Sequence, residues 1–249
     1  PGLLTEYTAV LPETGVMGGY VYAAGFESED AWFVTALFDA DAGHPIALID
    51  GSAMNPLKTG AAGAVAVDAL ARPDASRLGI IGSGAQARGQ LLATATVRDL
   101  DAVVVFSPTA DNRADFARSM DERLDATVRA VDTSRAAVEG QDVVITATTA
   151  SEPVFEGDWL EPGTHVTAMG QYHPAKRELD ARTIERSVYV PDLRERVQQD
   201  AGAFIAAREA GLVDDDHVHA ELGAVVAGTA TGRPSPDAIT VFDSGGTGI

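Results

Sequence analysis

The chain contains no cysteine and only two lysines, Lys58 and Lys176. The first absence removes disulfides, thiolate nucleophiles and cysteine-based zinc sites. The second leaves arginine to carry nearly all the positive charge against 37 acidic residues, for a net charge of −19. Long apolar runs are missing too. Ala61 to Ala71 is interrupted by glycine and aspartate and is too short to cross a bilayer. No basic, apolar and small-residue leader opens the chain at Pro1, although a start on Pro-Gly without Met fits a lost beginning. A cytoplasmic location is the expectation.

At 249 residues, 45% hydrophobic and 22% charged, the chain has the composition of a soluble globular protein with a buried core. Its acidity opposes nucleic acid and anionic membrane as partners, and neither is expected. Excess carboxylate with little lysine suits a salt-rich cytosol, where screening removes the self-repulsion, so a halophilic source is expected.

Up to about Leu57 the pattern is of short β segments, at Tyr20–Ala23, Trp32–Phe38 and Ile46–Asp50, with a hairpin turn at Asp39-Ala40-Asp41-Ala42-Gly43. An Ala- and Gly-rich helix follows from Asn55 to Leu70, small enough on its surface to pack closely, and Arg72-Pro73-Asp74 breaks it. Short apolar, β-branched runs then alternate with helical stretches. The runs are Arg77–Ile81, Ala102–Phe106, Thr127–Ala130, Asp142–Thr146, His165–Met169, Val188–Pro191 and a last strand at Ile239–Phe242. Such alternation implies an α/β fold, a Rossmann-type doubly wound parallel sheet over 73–249, preceded by a smaller α+β domain over 1–72.

The turn Gly82-Ser83-Gly84-Ala85-Gln86-Ala87 follows a strand and opens a helix. Gly82 serves the tight turn, Gly84 lets backbone approach a pyrophosphate, and Ala87 permits close helix packing, as in a dinucleotide-binding site. A carboxylate about 20 positions past the first glycine would bind an adenosine ribose. Here that region holds Ser107, Pro108 and Thr109, with Arg113 beyond. Hydroxyls and a guanidinium suit a 2′-phosphate, which tilts the expected cofactor to NADP over NAD. Thr146-Ala147-Thr148-Thr149-Ala150 is a hydroxyl-rich loop placed to line the cofactor, with Thr148 its candidate contact. Tyr172 or His173, in Gly170-Gln171-Tyr172-His173-Pro174, could donate a proton. No metal site is expected, and His44, His165, His217 and His219 are assigned structural roles.

Several segments together resemble the ornithine cyclodeaminase and mu-crystallin family: 51–62, 80–88, 174–180, Val190-Pro191-Asp192, Ala220-Glu221-Leu222-Gly223 and 240–246. The resemblance implies a homodimer whose split first domain holds substrate and dimer contacts, with a nicotinamide cofactor on the Rossmann domain. It implies hydride transfer between nicotinamide and a small amino acid or cyclic imino acid. The alternatives are a cyclodeaminase lyase that releases ammonia, and a non-catalytic NADP-binding protein. Lys58 falls where the family has an arginine that grips the substrate carboxylate, and Ser244 and Gly245 fall in the segment near the nicotinamide. Two departures accompany these matches. Tyr172 stands where cyclising enzymes carry aspartate, and no lysine occurs between Met17 and Phe38. The resemblance also implies a helical segment upstream of Pro1 and a helix after the Ser-x-Gly segment.

Overall fold

The computed structural model describes residues 2–24, 32–171 and 173–245. The chain divides into two compact units between Lys58 and Thr59. That division falls inside helix α1 (Met54–Leu70), not at the Arg72-Pro73-Asp74 break expected from sequence. Close packing is the reason. A β-carbon on Gly60 would lie 2.4 Å from the carbonyl oxygen of Gly89, so this part of α1 presses on α2 (Ala85–Thr94) and groups with it. Gln90, fully buried in α2, donates its amide to the Thr59 carbonyl at 2.8 Å.

The first unit is an antiparallel sheet in the order β1 (Leu3–Leu11), β2 (Val16–Ala24), β3 (Trp32–Asp39), β4 (Pro45–Asp50). The expected hairpin joins β3 and β4, with Asp39 Oδ1 accepting from the N–H groups of Asp41 (3.0 Å) and Ala42 (2.7 Å). Strand β1 was not anticipated, because its mostly exposed residues show no clean apolar alternation. Period-two geometry gives the sheet two unlike faces. Tyr7, Tyr20, Tyr22 and Phe33 share one face, with neighbouring ring centroids 5.3 to 6.3 Å apart. By the strand register, Leu4, Val10, Val21, Trp32, Val34 and Leu48 share the other, all exposed.

The second unit is a seven-stranded parallel sheet, ordered β10-β11-β9-β8-β5-β6-β7. Its strands are β5 (Arg77–Ile81), β6 (Ala102–Phe106), β7 (Thr127–Ala130), β8 (Val143–Thr146), β9 (His165–Ala168), β10 (Ser187–Pro191) and β11 (Ile239–Asp243). Each of the seven runs read from the sequence is found within a residue of its expected ends. Adjacent side chains serve opposite cores, as expected of strands buried on both faces. Leu78, Val103, Val105, Val143 and Ile145 pack with α2 and with α3 (Ala110–Asp121). Val104, Val144, Val166 and Val241 pack on the opposite side, where α4 (Ala181–Glu185), α5 (Arg194–Asp200) and α6 (Gly202–Glu209) lie. A further short helix, α7 (Leu222–Val226), precedes β11. The strand order reverses between β5 and β8, which makes that point the topological switch of a Rossmann-type fold.

The N-terminal strand edge is structural. His165, fully buried, lies 2.9 Å from Thr240 Oγ1 and 3.0 Å from Thr167 Oγ1, and burial pushes its pKa down to about 3. No described helix is long and apolar enough to cross a membrane.

Candidate active site

Parallel register brings Phe106, Ile81, Thr146, Ala168, Asp243 and Pro191 into one row at the carboxyl edge of the sheet. Every residue nominated from sequence except Lys58 follows one of these strand ends. Tyr172 lies outside the described residues.

At the end of β5, Gly82 adopts φ +120°, a left-handed conformation that glycine alone takes without strain. A β-carbon there would sit 2.3 Å from the Ala147 carbonyl oxygen, so the turn is held tightly against the loop after β8. Its N–H donates to Phe106 O at 2.8 Å. Ser83 Oγ donates to Ser107 Oγ at 2.9 Å, tying the turn to the end of β6. Gly84 occupies the N-cap of α2 with no side-chain cap, and nothing lies within 4 Å of where its β-carbon would be. The amides of the first turn, Ala85 and Gln86 among them, lie at the positive end of this helix, and the space beside Gly84 lets a ligand approach its backbone. Such a terminus fits a pyrophosphate. The Gln86 side chain is held separately, its Oε1 accepting from Thr59 Oγ1.

Beyond β6, Ser107 is buried and Thr109 caps α3 without a side-chain bond. Arg113 does not face open space. Its guanidinium donates to Ser107 O (3.1 Å) and Pro108 O (3.4 Å), pairs with Asp132 at 2.7 Å, and is 14% exposed. Nearby, a recess of about 490 Å³ is lined by Ser83, Arg88, Asp111, Asn112, Asp115 and Arg118. Asp115 pairs with both Arg88 and Arg118, so the two arginines and two aspartates leave no unbalanced positive charge.

On the other side of the switch, the loops after β8 and β9 meet over Glu178, a buried residue of the 174–180 segment that was not singled out from the sequence. Oε1 accepts from Thr148 N at 2.6 Å; Oε2 accepts from Gly170 N at 2.7 Å and Thr146 Oγ1 at 3.0 Å. Burial raises its pKa above the ordinary carboxylate value, and these donors act against the rise. His173 is exposed, its Nδ1 accepting from Ala175 N at 3.1 Å. Ser244 is buried, its N–H bonded to Ala168 O at 3.0 Å, and Gly245 passes beside the Asp192 carboxylate.

Sequence reasoning also missed Asp243, whose carboxylate accepts from Tyr189 OH at 2.6 Å. Burial, with Asp192 and Glu178 nearby, pushes its pKa up to about 7. An acidic residue ending an otherwise apolar strand was the available signal.

In the first unit, Lys58 extends from the start of α1 and places Nζ 5.3 Å from the Tyr20 ring centre. It is the only lysine or arginine in residues 1–58, and burial lowers its pKa.

Because Asp243 keeps a proton that the unfolded chain releases near 3.8, its contribution to stability is full below about pH 4 and is lost as pH rises through 7. Asp243→Asn should therefore gain in Tm relative to the native chain on going from about pH 5 to about pH 8. A gap in Tm that stays constant over that range would remove the linkage.

Three comparisons bear on this site. The profile of the ornithine cyclodeaminase/mu-crystallin family matches residues 23–249. A Delta(1)-pyrroline-2-carboxylate reductase of Bacillus cereus is 33% identical over 217 residues, 87% of this chain and 66% of the relative. The chain spans under two thirds of the length of the curated relatives it matches first. The solved Thermococcus litoralis Delta(1)-pyrroline-2-carboxylate reductase, in complex with NADH and L-proline, superposes with a TM-score of 0.85 at 33% identity, covering 98% of this chain and 82% of that one. An archaeal alanine dehydrogenase dimer with bound NAD gives 0.86 at 28% identity, covering 98% and 80%. With its Gly82 turn, its carboxyl-edge loops and a profile match over nearly its whole length, the chain belongs to the ornithine cyclodeaminase/mu-crystallin family.

Proposed function

We propose that this chain is the catalytic body of an NAD(P)-dependent oxidoreductase acting on a small amino acid or its imine. The observation that carries the reading is the uncapped, open helix terminus at Gly84, set in a row of loops at the carboxyl edge. A nicotinamide bound along that edge supplies or accepts the hydride. The chain's own residues bind and orient: the Gly82–Gln86 turn takes the pyrophosphate, and the loops at Thr148 and Ser244-Gly245 flank the nicotinamide end. His173 or Tyr172 handles the proton on nitrogen.

Lys58 grips the substrate carboxylate. Burial lowers its pKa, and an anion bound beside it would favour the charged ammonium. Lysine lacks the bidentate fork of arginine and holds a carboxylate more loosely. Assay of amino acids and cyclic imines by the absorbance of reduced nicotinamide should show net turnover. Ammonia release without it would replace this reading with a cyclodeaminase. Lys58→Ala should raise KM on the order of 100-fold with a smaller change in kcat, and Lys58→Arg should restore activity.

For the cofactor, the charge balance around the adenosine end favours NAD over the NADP expected from the sequence. Arg113 is engaged by Asp132 and two carbonyls, and the adjoining recess is neutral. Among the described residues, a 2′-phosphate there would have to displace Asp132 from Arg113, or Asp115 from Arg88 and Arg118. NADH should bind at least about 10-fold more tightly than NADPH. Arg113→Ala should leave the NADPH affinity unchanged and cost about 1–2 kcal/mol of stability through the lost turn bonds. A selective loss of NADPH binding in that variant would restore the NADP assignment.

The exposed face of the first-unit sheet, carrying Leu4, Val10, Trp32, Val34 and Leu48, supports a homodimer through that unit. Light scattering at micromolar concentration should give twice the chain mass, and Leu48→Asp should give the monomer with its fold retained. A monomeric native chain would count against this surface as the dimer contact.

A further inference from the structure

Glu178 is 3% exposed, and burying a carboxylate costs several kcal/mol unless strong bonds compensate. Here the compensation comes from two different loops, one oxygen serving the amide after β8 and the other the amide after β9. The loops are pressed together around it. A β-carbon on Gly170 would lie 2.3 Å from Thr148 O and 2.5 Å from Glu178 Oε1. Gln171 Nε2 donates to Thr148 O at 3.2 Å, and Val154 N donates to Glu178 O at 2.9 Å, closing the contact from both sides. Simple pairing of strands β8 and β9 does not need this residue, since the ladder already runs from Val143↔His165 to Thr146↔Ala168. Apart from its bond to the Thr146 hydroxyl at the ladder's last pair, the carboxylate acts past the ladder's end, where the strands have become loops.

We propose that Glu178 is a positioning residue: its buried carboxylate staples the loop at Thr148 to the loop at Gly170 and so sets the wall against which the nicotinamide end of the cofactor binds. The inference rests on the cofactor reading above and adds a residue to it. Both amides point inward to the carboxylate, so the loops present their remaining groups outward in one fixed arrangement. Glutamine in its place offers one acceptor oxygen and turns an NH2 toward the second amide, which releases one loop.

Hydrogen exchange and cofactor titration test this together. In the native chain the amides of Thr148 and Gly170 should exchange slowly despite lying outside the strands. In Glu178→Gln they should exchange faster while the amides of β5 and β8 stay protected. The same variant should raise the cofactor Kd and cofactor KM at least about 10-fold, and leave substrate KM at saturating cofactor within about threefold. Thr146→Val, which removes the hydroxyl donor and keeps both amides stapled, should change cofactor Kd less than about threefold. The staple is overturned if the native amides exchange at open-loop rates, a measurement that stands even if Glu178→Gln fails to fold. It is overturned equally if folded Glu178→Gln binds cofactor as the native chain does. A native chain that binds neither NADH nor NADPH, with both amides protected, would instead remove the cofactor reading and the role of the staple in it.

Discussion

The register of the parallel sheet in the second unit is the constraint on which the site depends. Pairing aligns Phe106, Ile81, Thr146, Ala168, Asp243 and Pro191 at one edge, so six connections leave the sheet together. A one-residue slip would exchange the two cores, since neighbouring side chains on each strand serve opposite faces. Register is thus fixed by packing of residues such as Leu78, Val104 and Ile145, far from any chemistry, and the loops inherit their positions from it.

The two ends of that sheet treat polar groups differently. At the N-terminal edge Asp142 accepts from Arg72, Ser76 and Arg77, and its pKa is lowered below the ordinary value. At the carboxyl edge Glu178, Asp192 and Asp243 all have raised pKa values, chiefly through burial. Carboxyls held in their less favoured state cost stability, and such costs concentrate at functional sites. The buried carboxyls at the carboxyl edge are thus held toward their protonated form, whereas Asp142 at the opposite edge is held ionised by its arginine and amide partners.

Much of this was legible in the sequence, for identifiable reasons. Strands buried on both faces read as short β-branched runs, and Gly82-x-Gly84 marks a turn from strand to helix, so the seven strands and the tight turn between β5 and α2 were found. Strand β1 lacked a periodic signal. Arg113 was correctly seen as a cation near the end of β6, but its engagement with Asp132 is a long-range pairing, 19 residues apart, that no local pattern encodes. Glu178 and Asp243 were overlooked because burial of a carboxyl depends on what folds over it. The one local hint was for Asp243, an acidic residue ending an apolar strand; Glu178, beside Arg177, carried none.

The first unit carries a different division of labour across a single sheet. Alternation puts tyrosines and Phe33 on one face, where Lys58 rests over Tyr20, and aliphatic residues with Trp32 on the other. Removing that apolar face from water would stabilise the same strands that hold Tyr20 in place. On the proposed reading, assembly through the apolar face and carboxylate binding by Lys58 would be coupled through the thickness of one sheet, which carries Trp32 and Leu48 on one side and the aromatic platform under Lys58 on the other.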